Sequence, residues 1–102
     1  MFEKYIPMTE ATCYILLSIT LKKKHGYLIM QHVKEMTDGK ITIGNGTLYG
    51  ILNRMVEDGL ITAEMIDQKK IYTATPLGKE ILLAEQHRLK MLLKNFNTLV
   101  AD

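Results

Sequence analysis

Apolar positions recur along this chain with two different periods. From Met8 to Leu21, residues Ala11, Tyr14, Ile15, Leu16 and Ile19 form the broad apolar face of a helix. Thr9 is placed to cap it just after Pro7, and Glu10 suits the positive end of its dipole. Lys22, Lys23 and Lys24 close it at the negative end, where a lysine run reads first as a solvated terminus. His25-Gly26 interrupts the pattern. Ile29, Val33 and Met36 then return at helical spacing, which predicts a second helix over about 27–37, stopped by Asp38-Gly39. Lys40-Ile41-Thr42-Ile43 alternates polar and apolar, as a very short strand or an extended loop would.

The stretch from Gly44 to Gly59 predicts a third helix with two distinct faces. Leu48, Ile51, Leu52, Met55 and Val56 make one apolar stripe, while Gly46, Tyr49, Gly50, Asn53 and Arg54 lie away from it. Glycine in a helix costs about 1 kcal/mol against alanine, so the outer glycines ask for a reason. One is close backbone approach to another surface, DNA being the leading idea; the plainer one is a helix that starts in a glycine-rich loop. Gly59 reads as the C-terminal glycine. The period then shortens. The β-branched stretch Leu60–Ile66 and the run Lys70–Thr75 flank Asp67-Gln68-Lys69, which predicts a hairpin. Without an Asn-Gly pair, its loop is expected to exceed two residues.

Thr75-Pro76 predicts the cap and first turn of a last helix, reaching about Val100. Leu82, Leu89 and Phe96 recur every seven residues, joined on the same side by Leu92, Leu93, Leu99 and Val100, with Glu85 the one polar position in the seam. A sustained seven-residue repeat is a helix-packing pattern. A small domain can cover only its first half. The second half is expected to pair with the same helix of another copy.

Composition narrows the function classes. The chain has 102 residues, 47% of them hydrophobic, enough for one domain with a modest core. The net charge of +2 does not by itself argue for nucleic acid, so a local patch would have to supply the field. The single cysteine, Cys13, excludes an internal disulfide and suits a cytoplasmic protein; among apolar neighbours it is expected to be buried. The N-terminus lacks the order of a signal peptide, and the apolar run 14–21 is too short to span a bilayer. His25 and His32 without a nearby acid make a poor metal site, and no glycine-rich phosphate loop follows a strand. The pattern therefore argues against an enzyme, and no cofactor is implied.

The predicted order is helix, helix, helix, β-hairpin, helix. That is an α+β, mostly α arrangement: a winged helix-turn-helix over residues 1–75, with a long C-terminal dimerisation helix over 76–102, in one compact unit. In a helix-turn-helix the second helix of the pair enters the major groove, N-terminal residues first. Here Asn45, Thr47, Tyr49 and Asn53 are the candidate base readers, and Gln68, Lys69 and Lys70 at the wing tip could reach phosphate. A winged-helix module that binds protein is the rival: the low net charge favours it, and the glycine and tyrosine on the outer helix face favour DNA.

Thr9-Glu10-Ala11, Tyr14-Ile15-Leu16-Leu17, His25-Gly26-Tyr27, Gly46-Thr47-Leu48-Tyr49-Gly50 with Arg54-Met55, Glu57-Asp58-Gly59-Leu60-Ile61, Lys70-Ile71-Tyr72 and Thr75-Pro76-Leu77-Gly78 follow one another in this order along the chain. With these motifs at these spacings, the chain resembles the PadR family of transcriptional regulators. The resemblance implies a dimeric repressor on a palindromic operator of double-stranded DNA. It places Gly46, Thr47 and Tyr49 against DNA, with Gly50 beside them, and assigns the basic wing role to Lys69 and Lys70. It assigns dimerisation to the last helix, here through Leu82, Leu89, Leu92, Leu93, Phe96 and Leu99. A single helix after the wing is similar to the short subfamily. Some members of that subfamily hold flat aromatic drugs between paired tryptophans; this chain has no tryptophan, and Leu89 stands at the corresponding position. A small hydrophobic effector would still be compatible, with Met8, Met91 and Phe96 as its candidate lining beside Leu92. The same four residues also suit core or dimer seam. The wing carries lysines where the family often has arginines, which predicts looser contacts there.

Overall fold

The computed structural model describes residues 2–100; residues 1, 101 and 102, at the outer ends of the two expected segments, lie outside the described residues. A one-turn helix α1 (Phe2–Tyr5) precedes α2 (Glu10–Leu21). Thr9 caps α2 as expected, its hydroxyl accepting from the Thr12 N–H at 3.2 Å. Ile15, Leu16 and Ile19 of α2 point into the core, against Ile29 and Val33 of α3 (Gly26–Met36).

Lys22 and Lys23 are exposed just past α2, as a solvated helix end would be, but Lys24 is not. Lys24 and His25 form a two-residue strand, β1, opposite Tyr72 and Ile71. The Lys24 ammonium folds back onto the Ser18 carbonyl oxygen and lies 3.3 Å from the Ser18 hydroxyl, which fixes the strand against α2. Burial there pulls its pKa below the usual lysine value. The segment 40–43 is loop, held by Thr37, whose hydroxyl oxygen accepts from the Ile41 N–H at 3.1 Å.

Helix α4 (Asn45–Glu57) buries Leu48, Ile51, Leu52 and Met55, a narrower stripe than expected. Val56, at the edge of the stripe, is 37% exposed. The helix ends in a Schellman motif. The Leu60 N–H donates to the Met55 carbonyl and the Gly59 N–H to the Val56 carbonyl, with Gly59 at φ +83°. Strands β2 (Ile61–Ile66) and β3 (Lys69–Ala74) then form the wing, in register from Ile61↔Ala74 to Ile66↔Lys69. Its turn is only two residues, shorter than expected. Asp67 and Gln68 both adopt positive φ, +49° and +66°, and so close the tight hairpin without a glycine. The sheet order is β1-β3-β2, antiparallel throughout.

Helix α5 (Pro76–Leu99) starts as expected at Thr75, whose hydroxyl oxygen accepts from the Gly78 N–H at 3.1 Å and donates to the Gly59 carbonyl at 2.6 Å. Ile81 is buried and Leu82 half-buried against the core. Glu85 is not a seam position. It is 2% exposed, its carboxylate forked by the Arg88 guanidinium at 2.7 and 2.8 Å and accepting from the Met8 N–H at 3.2 Å.

The Arg88 hydrogen bonds, chiefly, hold the Glu85 carboxyl below the usual range. A depressed folded pKa stabilises the fold above the unfolded value of about 4.3, and that contribution is lost as pH falls through the folded value. Urea unfolding at pH 5 and pH 3 should therefore show a smaller acid loss in Glu85→Gln than in the parent protein. Equal losses would mean that Glu85 is not held as an anion.

Candidate nucleic-acid interface

The first hydrogen bond within α4 runs from the Leu48 N–H to the Gly44 carbonyl, at 2.9 Å. The N–H groups of residues 45–47 therefore point out of the helix start, where no side chain caps them. Such an end carries partial positive charge and suits a phosphate. Asn45, Gly46, Thr47 and Gly50 are all exposed on this first part of the helix, and beyond the helix's own nearby backbone nothing among the described residues lies within 4 Å of where a Cβ would stand on Gly46 or Gly50. That face can approach a flat surface closely.

Further along, Tyr49 and Asn53 of α4 share one shallow cleft with Lys69 and Lys70 of β3. The two lysines are exposed, one at the wing turn and one just inside it. The cleft runs on to His25, Gly26 and Tyr27 at the start of α3, with buried Tyr72 behind it. Tyr49 leans over Gly26: a Cβ on that glycine would stand 2.5 Å from the Tyr49 hydroxyl oxygen. Burial, and then the nearness of Tyr49, raises the Tyr72 phenol above its ordinary pKa. The chemistry of the face is a row of hydrogen-bonding groups flanked by two cations. It has donors and acceptors for base edges and charge for phosphate.

Four residues of this cleft, His25, Gly26, Tyr27 and Tyr72, were not among the expected site residues. His25 and Tyr27 stack with ring centroids 6.5 Å apart, and the Gln31 amide donates to the Tyr27 hydroxyl at 3.4 Å. Their signal was the His-Gly-Tyr triplet, whose position beside the wing depends on β1 pairing with β3.

The expected dimer residues fall in two groups. Leu82 packs on the core, whereas Leu89, Leu92, Leu93, Phe96 and Leu99 are 43–80% exposed along the outer half of α5. An apolar groove between α2 and α5 takes in Cys13, Leu17, Leu82, Leu89 and Leu93. Cys13 is half-buried rather than buried, and burial followed by the Glu85 charge raises its thiol pKa, which disfavours the reactive thiolate. The proposed effector lining is not assembled within one chain. Met8 is half-buried against the core near Glu85, while Met91 and Phe96 are exposed further along α5 and do not line the groove. No helix among the described residues is long and apolar enough to cross a membrane.

Comparison with curated proteins gives no match. Among solved structures, a PadR family transcription regulator from Clostridium difficile superposes with a TM-score of 0.80 at 23% identity, covering 91% of this chain and 100% of that one. A transcriptional regulator from Clostridium thermocellum gives 0.78 at 23% identity over 87% and 91% of the two chains. A PadR-like regulator from Bacillus cereus gives 0.78 at 22% identity over 90% and 92%. These likenesses establish the winged-helix fold. Residues 15–84 match the transcriptional regulator PadR-like family over most of the chain. The protein thus belongs to the PadR-like family, whose members are DNA-binding transcription regulators and not enzymes.

Proposed function

We propose that this regulator is a cytoplasmic repressor that binds a palindromic operator as a homodimer, residues 1–75 supplying the DNA contacts and 76–102 the dimer contacts. The observation that carries the reading is one exposed face shared by Tyr49 and Asn53 of α4 and Lys69 and Lys70 of the wing. Asn45, Gly46, Thr47, Tyr49, Gly50 and Asn53 enter the major groove, and Lys69 and Lys70 grip phosphate. Two copies read half-sites about 34 Å apart, one helical turn of DNA. The exposed leucines and Phe96 of α5 support pairing, because a stripe of that length is rarely left in water. A small hydrophobic effector releases the operator by entering an apolar space at the α5 pairing, with Met8, Met91 and Phe96 as its candidate lining.

A gel-shift titration on the DNA upstream of the protein's own coding sequence tests this. The parent protein binds, and Tyr49→Ala binds about tenfold more weakly, equivalent to about 1.4 kcal/mol. Light scattering at micromolar concentration gives a dimer. A monomer would sink the pairing, and an unaffected Tyr49→Ala would remove α4 from the contact.

A further inference from the structure

The last turn of α4 carries a misplaced charge. Asp58 caps the C-terminal end of the helix, where the dipole disfavours an anion. Its carboxylate is nevertheless well held. The Tyr5 hydroxyl donates to one oxygen at 2.7 Å, and the Lys4 ammonium lies 3.0 Å from the same oxygen and 3.2 Å from the other. Tyr5 is 6% exposed, so its ring is part of the core while its hydroxyl reaches the helix end. Burial, and then the Asp58 bond, pushes the Tyr5 phenol well up, and the Asp58 carboxyl is held down chiefly by that same bond. Three residues on, the Met8 N–H is fastened to buried Glu85 of α5. The short segment before α2 is thus tied at one end to α4 and at the other to the middle of α5, with Ile6 packed on the core between them.

We infer that residues 4–8 form a strap that sets the pose of α4, making Tyr5 and Asp58 positioning residues for DNA binding although neither lies on the DNA-facing cleft. The inference rests on the operator-binding reading above. A reading helix held only by its apolar stripe can rock about that stripe. A clasp at its C-terminal end fixes the tilt with which Asn45 to Asn53 meet the groove. Displacements of about 1 Å in such a contact set are enough to break hydrogen bonds to base edges.

Operator affinity and amide exchange at residues 58–60 are measured on the full chain, at a temperature where every variant is fully folded. Tyr5→Phe keeps the ring and removes only the hydroxyl; it should weaken operator binding about fivefold and speed exchange at the end of α4. Asp58→Ala removes a negative charge from a DNA-binding domain, so simple electrostatics predicts tighter binding; the strap predicts weaker binding, by about the same factor. The double variant should be no weaker than either single one. Asp58→Asn, which still accepts from Tyr5, should recover most of the affinity. If Tyr5→Phe binds like the parent protein, the strap is only structural and the inference fails. If the parent protein itself does not bind, the operator reading fails, and exchange at residues 58–60 still decides whether the clasp holds α4.

Discussion

Gly78→Ala is expected to lower the melting temperature by about 10–20 °C. A Cβ at this position would stand 2.2 Å from the Leu60 carbonyl oxygen and 3.1 Å from its carbon. That carbonyl cannot swing aside, because it already accepts from the Thr75 N–H at 3.0 Å and lies 3.0 Å from the Thr75 hydroxyl. The start of α5 would have to lift from the end of α4. Overpacking of this kind costs about 2–3 kcal/mol, and each kcal/mol moves the midpoint of a domain this size by about 4–8 °C. Alanine's better helix propensity works the other way. It is worth at most about 1 kcal/mol in a helix interior, and Gly78 is only the third residue of α5. Thermal unfolding followed by circular dichroism decides between the two effects. A midpoint that stays or rises would mean that α5 does not approach Leu60 so closely. The same contact explains why Thr75-Pro76-Leu77-Gly78 is a unit: the cap holds the carbonyl that the glycine must clear.

Lys69→Ala with Lys70→Ala is expected to cut operator affinity by about 100-fold or more at moderate salt, with little change in stability. Both side chains are exposed, and the wing pairing at Ile66↔Lys69 and Met65↔Lys70 is made by the main chain. The loss should be electrostatic. Each phosphate contact contributes about 0.9 to the slope of log affinity against log salt. Removing two lysines from each protomer of a dimer should flatten that slope by about 3–4. Arginine at both positions should restore the slope, because the wing needs charge there, and should add bidentate grip. A double-alanine variant that loses affinity with an unchanged slope would mean that the lysines act through the fold of the wing and not through phosphate.

Much of this architecture is legible in the chain because its signals are local. Thr9 and Thr75 sit before their helices with the oxygen that a helix start needs, and Gly59 supplies the positive φ that ends α4. The apolar stripe of α4 put Tyr49 and Asn53 on its outer face, and the hairpin put Lys69 and Lys70 at the wing tip. The missed features are those whose partners are distant. Strand β1 is too short to show alternation and exists because Ser18 holds Lys24 and β3 lies alongside. The two-residue turn depends on positive φ at Gln68, for which glutamine gives no signal. Glu85 sat at a seam position by its spacing, yet besides Arg88 it holds a backbone N–H 77 residues earlier. The placement of His25 and Tyr27 beside the wing, and the clasp from Tyr5 to Asp58, follow only from the folded chain.

The most direct test of the operator reading is a fluorescence anisotropy titration of the upstream duplex at about 50 mM and about 200 mM salt. The account predicts saturable binding by a dimer, weakening steeply between the two conditions, with a flatter dependence once Lys69 and Lys70 are alanine. Binding that is absent, or that does not respond to salt, would contradict it.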